Sequence, residues 1–161
     1  MIKLIFIRHG TSVNNKKREF TGHLDVPLDE QGVIEAQKAS EFVLKNYKID
    51  AIFSSDLDRA VQTVTPIAKA TGLPINKTPA FREICLGDWE GMKIDDVNAN
   101  FKDECDFLKD NIAEFKYPNG ESFEDIYASL EECWSEIEND MDLRSESLQN
   151  NLDNHQNRSA L

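Results

Sequence analysis

The sequence predicts an α/β fold of three layers, with a mostly parallel central sheet between helices on both faces. Three observations predict it. Residues 2–7, IKLIFI, are apolar at five of six positions and rich in β-branched or aromatic side chains, which suits a buried parallel strand. Two stretches of helical length follow, each succeeded by a short apolar run, so the order reads β, α, β, α, β. That alternation makes parallel sheets, and right-handed crossovers gather the strand C-termini at one edge, where open sheets hold ligands.

Taken in order, the opening strand stops at Arg8-His9-Gly10, and the polar stretch Thr11 to Asp29 reads as loop. Asp29 is the expected N-cap of a helix reaching about Asn46, with Ile34, Ala36, Ala39, Phe42 and Val43 as its apolar face and Gly32 as a cost to propensity. Ala51 to Ser54 is a second buried strand. Ser55 or Asp56 should cap the next helix, which carries Leu57, Ala60, Val61, Val64, Ile67 and Ala68 at helical spacing and is kinked or split at Pro66. Gly72 ends it, and Leu73-Pro74-Ile75 leads into a third, weaker strand.

Residues 81–91, FREICLGDWEG, have no period and read as a shaped loop. Asp95 to Asn111 contains one or two short helices whose buried face is Val97, Phe101, Cys105 and Leu108. Tyr117 to Gly120 is a turn. Ser122 and Asp125 form a capping-box-like pair before a helix striped by Phe123, Ile126, Tyr127, Leu130, Cys133, Trp134, Ile137 and Met141. Beyond Leu143 the sequence is polar and without pattern, so residues 1–143 are expected to form the α/β domain and 144–161 a disordered tail.

The 161 residues, 40% hydrophobic and 30% charged, suit one globular domain. A formal net charge of −12 argues against nucleic-acid or anionic-membrane surfaces. An anionic ligand must therefore be drawn by a local positive pocket. No apolar run approaches a membrane span and no leader precedes the strand, which reads as a cytoplasmic protein. Cys85, Cys105 and Cys133 follow no metal-ligand spacing and fit a reducing compartment. Lys16, Lys17 and Arg18 are the one dense basic cluster, equally a solvated loop or a pocket rim.

Arg8-His9-Gly10 combines a guanidinium that can fork onto phosphate, an imidazole that can attack phosphorus and a glycine that admits an anion to the backbone. The triplet alone is weak. IRHGTSVNN with FTGHLDVPLDEQG, then SSDLDRAVQT, FREICLGDWEG and YPNGESFEDIY, in that order, resemble the histidine phosphatase superfamily, which includes cofactor-dependent phosphoglycerate mutases and α-ribazole phosphatases. The resemblance covers residues 1 to about 141. It implies that His9 is the nucleophile, Arg8 and Arg59 the clamp on the phosphoryl oxygens, and Glu83 the general acid. It implies too that Asn15, Thr21 and Gly22 complete the phosphate cradle.

Two departures qualify the resemblance. Thr11 to Asn14 lack the acidic and aromatic residues common there, which bears on leaving-group preference. The second histidine of the family, borne on an apolar strand and followed by glycine, has no counterpart. His155 stands at about the right distance between Asn154 and Gln156 and reads as a chance match; His23 also lacks the motif. The chain is therefore expected to be the first part of a longer member, with a sheet left incomplete and an unrelated tail. The expected function is hydrolysis of a small soluble phosphate ester through a phosphohistidine, without metal or other cofactor. The alternatives are a phosphoglycerate mutase and an inactive phosphate-binding fragment. The expected partner is a small phosphorylated metabolite, with homo-oligomer formation left open.

Overall fold

The computed structural model describes residues 3–135 and 137–138. They fall in two compact units, divided between Ile126 and Tyr127. In the first unit, strands β1 (Ile52–Ser55) and β2 (Ile75–Thr78) pair in parallel, with Ile52 opposite Ile75 and Ser55 opposite Thr78. The expected parallel α/β arrangement is present. Between these strands runs helix α3 (Asp58–Thr71), which packs against both, and helix α2 (Glu30–Asn46) packs on α3. Val43, Ile52 and Ile67 are the buried centre of this layer, with Ile5, Ile7, Val64 and Ile75 around them.

The ends of these helices have identifiable causes. Asp29 caps α2 by accepting the Gly32 N–H at 2.8 Å. Its buried row is Gly32, Ala36, Ser40 and Val43, whereas Phe42 is 63% exposed and Ile34 49%. The expected apolar face is thus rotated. The reason lies in Gly32: a Cβ there would stand 2.1 Å from the Thr11 carbonyl oxygen, and one at Gly10 would stand 2.6 Å from the Gly32 carbonyl oxygen. The close approach of two backbones decides which stripe turns inward.

Neither Ser55 nor Asp56 is the N-cap of α3. That position is Leu57, which offers no side-chain bond; the Asp58 N–H donates instead to the Asp25 carboxylate at 2.7 Å, from the preceding loop. The helix runs unbroken through Pro66 and ends at Gly72, whose φ of 73° is left-handed.

The opening segment does not form the expected buried strand. Among the described residues, 3–8 make no backbone hydrogen bond. Ile5 and Ile7 rest on the β1/α3 layer, while Leu4 is 45% exposed and Phe6 87%. A strand exists through its ladder, and this segment makes none with the described residues. The sheet accordingly has two strands among the described residues where three were expected.

After the opening segment, Ser12 caps the short helix α1 (Val13–Lys17). Residues 79–81 and 87–89 make single 3-10 turns, and helices α4 (Ile94–Asn100) and α5 (Lys102–Asp110) follow as expected. Their anchor is Trp89, 1% exposed, with Leu86, Val97, Phe115 and Tyr117. Tyr117 meets the indole edge-on at a centroid distance of 5.2 Å, and Phe20 and Phe101 close the ring. The Ser122–Asp125 capping box is present, the Asp125 N–H donating to Ser122 Oγ and the Ser122 N–H to the Asp125 carboxylate.

Residues 123–135 are helical. Their stripe is not the continuous buried face expected: Phe123 is 44% exposed. In the second unit Cys133 and Ile137 are buried, whereas Tyr127 is 69% exposed and Leu130 37%. An apolar stripe is buried only where another surface faces it. Met141, the boundary at 143, His155 and the tail lie outside the described residues. No helix among the described residues is long and apolar enough to cross a membrane.

Candidate active site

His9 is half-buried where the opening segment meets α3. Its Nδ1 lies 2.7 Å from the Gly10 carbonyl oxygen, which can only accept, so Nδ1 carries the proton and Nε2 keeps a free lone pair. Burial pushes the His9 pKa below the ordinary 6.5, opposed by that hydrogen bond; the nearby Arg59 and Arg8 push the same way as burial, and Glu83 raises it. The ring is thus a neutral base beside two guanidinium groups and the Glu83 side chain.

The Gly10 N–H donates to Thr63 Oγ1 at 3.1 Å, and the Thr63 hydroxyl donates to the Arg59 carbonyl at 2.7 Å. One side chain of α3 therefore ties the peptide beside His9 to the backbone of Arg59.

Arg59 is 2% exposed. It donates through Nη2 to the Gly22 carbonyl at 2.7 Å and through Nη1 to the Leu24 carbonyl at 2.9 Å, while Glu83 Oε2 stands 3.5 Å from Nη2. Burial lowers the guanidinium's pKa, with Glu83 and Asp25 opposing. The 22–24 loop that receives it is held from behind by Glu90, whose Oε1 accepts the His23 N–H at 2.8 Å and the Leu86 N–H at 3.0 Å. Gly22 has a φ of +50°, and a Cβ there would lie 2.2 Å from Glu90 Oε1.

The residues expected to complete a phosphate cradle differ from one another. Thr21 is 7% exposed and its Oγ1 has no hydrogen-bond partner among the described residues. Gly22 has its carbonyl engaged by Arg59. Asn15 Oδ1 accepts the N–H and the hydroxyl of Ser12, each at 3.0 Å, completing the cap of α1. That bonding leaves the amide group of Asn15 as its donor. Arg8 is exposed.

His9, Gly10, Arg59, Gly22 and Glu83 are thus joined by direct contacts or mutual electrostatic influence, and the Asn15 side chain is bonded to Ser12 instead. Residues that sequence reasoning left without roles hold the site together. Glu35 accepts the Thr11 N–H at 2.8 Å, which lowers its carboxyl's pKa, and Gln62 Oε1 accepts the Leu28 N–H at 2.9 Å. Arg82 forks onto Asp56, Nε to Oδ1 at 2.7 Å and Nη2 to Oδ2. Among the described residues, no group of three or more His, Cys, Asp or Glu side chains is placed to hold a metal ion.

A buried arginine and a neutral histidine stand together at one end of a β–α unit, and the family model for the histidine phosphatase superfamily, branch 1, matches residues 4–144. The chain belongs to this superfamily. Among histidine phosphatases and their relatives, it is 36% identical over 129 residues to a 2,3-bisphosphoglycerate-dependent phosphoglycerate mutase of Xanthobacter autotrophicus, covering 78% of this chain and 62% of the mutase. It is 32% identical over 127 residues to phosphoglycerate mutase-like protein 4 of Arabidopsis thaliana, covering 78% and 55%. The structure of a mycobacterial glucosyl-3-phosphoglycerate phosphatase with VO3 superimposes with a TM-score of 0.73 at 30% identity, covering 80% of this chain and 63% of that one. A putative α-ribazole-5′-P phosphatase from Escherichia coli shares the fold, with a TM-score of 0.74 at 24% identity. The chain therefore spans less than two thirds of the length of these curated relatives.

Proposed function

We propose that this chain hydrolyses a small soluble phosphate monoester through a phosphohistidine on His9. The observation that carries the reading is the His9 ring: Nδ1–H is bound to the Gly10 carbonyl, Nε2 is free, and the pKa is lowered beside the buried Arg59. In the first step Nε2 forms a bond to phosphorus, the ester P–O bond breaks, and Glu83 gives its proton to the departing alkoxide. In the second, Glu83 takes a proton from water as the water oxygen attacks phosphorus, the N–P bond breaks, and phosphate leaves with His9 restored. Arg8 and Arg59 hold the non-bridging oxygens through both steps. Thr21 Oγ1, the Gly22 N–H and the Asn15 amide complete the cradle. The charge these cations supply is what metal ions supply in kinases, so the reading needs no cofactor. A small phosphorylated metabolite is the proposed substrate and the cytoplasm the proposed location.

The test is rapid quench of the chain with a labelled aryl phosphate. An acid-labile, base-stable phosphoryl group on His9 and its loss in His9→Ala are expected; equal turnover by His9→Ala sinks the reading. The mutases among the relatives favour a second one, transfer of the phosphoryl group between positions of a phosphoglycerate. Isomerisation of phosphoglycerate in excess of phosphate release selects it. A third reading is phosphate binding with little turnover; phosphate retained on His9 without release selects that one.

A further inference from the structure

We propose that the Asp56–Arg82 ion pair is the brace that positions Glu83 against Arg59, making Asp56 and Arg82 positioning residues of the reaction. The inference rests on the reading of Glu83 as general acid. Glu83 itself is loosely held: its side chain is 49% exposed, and its contact with Arg59, at 3.5 Å, is at the limit of a hydrogen bond. What fixes the carboxylate is the backbone on either side of it.

On the C-terminal side, the Cys85 N–H donates to Glu121 Oε2 at 2.8 Å and the Cys85 carbonyl accepts the Glu121 N–H at 2.9 Å. On the N-terminal side the hold is Arg82, whose planar fork meets both oxygens of Asp56. Asp56 stands in the turn that launches α3, three residues before Arg59. Ser55 Oγ accepts the Leu57 N–H in the same turn. The pair therefore joins the segment bearing the acid to the turn bearing the cation. The two side chains are 31% and 28% exposed, where an ion pair contributes little stability. Orientation is the larger effect available to it, because a small misplacement of a proton donor costs rate steeply.

The experiment compares two esters with the full chain: an aryl phosphate whose phenolate leaves unaided, and an alkyl phosphate whose alkoxide needs a proton. The variants are Asp56→Asn and Arg82→Gln, alone and with Glu83→Gln. Each single variant is expected to lower kcat/KM for the alkyl ester by roughly tenfold or more while changing the aryl ester by about twofold at most. Glu83→Gln should show the same selectivity, and adding Asp56→Asn to it should change the ratio no further. The ratio of the two esters is independent of how much of a variant is folded. Proportional loss on both esters, complete loss included, assigns the pair to fold stability and overturns the proposal. A parent chain that turns over neither ester, or activity surviving His9→Ala, fails the phosphohistidine reading, whereas Glu83→Gln without selectivity fails the reading of Glu83 as general acid; the brace falls with either.

Discussion

The hydroxyl of Thr63 joins the two groups that the proposed chemistry must hold together. It accepts from Gly10, 53 residues away in sequence, and donates to Arg59. Thr63→Val keeps the shape and removes the hydroxyl, leaving the Gly10 N–H buried without a partner. The expected cost is about 1–3 kcal/mol in unfolding free energy, together with a fall in kcat larger than any rise in KM, measured by denaturant melts and initial rates. His9 makes a second prediction. Its pKa lies below 6.5, so the reactive neutral ring persists at pH 6.5 and the acid limb of kcat/KM must lie lower. Stability has the same sign: below 6.5 the unfolded chain takes up the proton first, and stability falls as pH drops through the folded value. A pH–rate profile with its acid limb above 6.5 contradicts the assignment. Arg8, His9, Arg59 and Glu83 could be singled out in the sequence because each stands in a local motif. Thr63, Glu35 and Glu90 had no legible roles, because their partners are backbone groups of distant segments.

At the level of elements, propensity and packing give opposite signs at Gly32. In the first turn of α2, Gly32→Ala gains up to about 1 kcal/mol by helix propensity. The added Cβ would stand 2.1 Å from the Thr11 carbonyl oxygen, so packing wins and the net is a loss of roughly 1–3 kcal/mol. Thermal melts should show a lower Tm, and initial rates a loss of turnover, since Thr11 adjoins Gly10. A raised Tm would mean that the approach is not as close as described. The same competition explains why the apolar face read for α2 was rotated: Ile34 and Phe42 are apolar, but Gly32 determines where the helix can sit. The cap of α3 was misplaced for a related reason, since the acceptor for its first N–H is Asp25 from another segment.

For the whole molecule, the opening segment carries His9 at its end and has no ladder partner among the described residues. Amides of 4–8 are therefore expected to exchange with solvent at nearly unprotected rates while those of β1 and β2 are retained. Protection of 4–8 equal to that of β1 would show a strand pairing that the described residues lack. Local order was written in the sequence: the β–α–β alternation, the Asp29 and Ser122 caps, the short α4 and α5 helices, and the motifs around His9, Arg59 and Glu83. These depend on neighbours within a few residues, and apolar period or capping chemistry reports them directly. Only the tertiary structure decided which stripe of α2 is buried and that residues 3–8 make no ladder with the other described residues. It also decided that Arg59 is bound to the Gly22 and Leu24 carbonyls and that Arg82 is forked onto Asp56. Each of those is an agreement between surfaces far apart in the chain, and no local pattern of residues states which surfaces will meet.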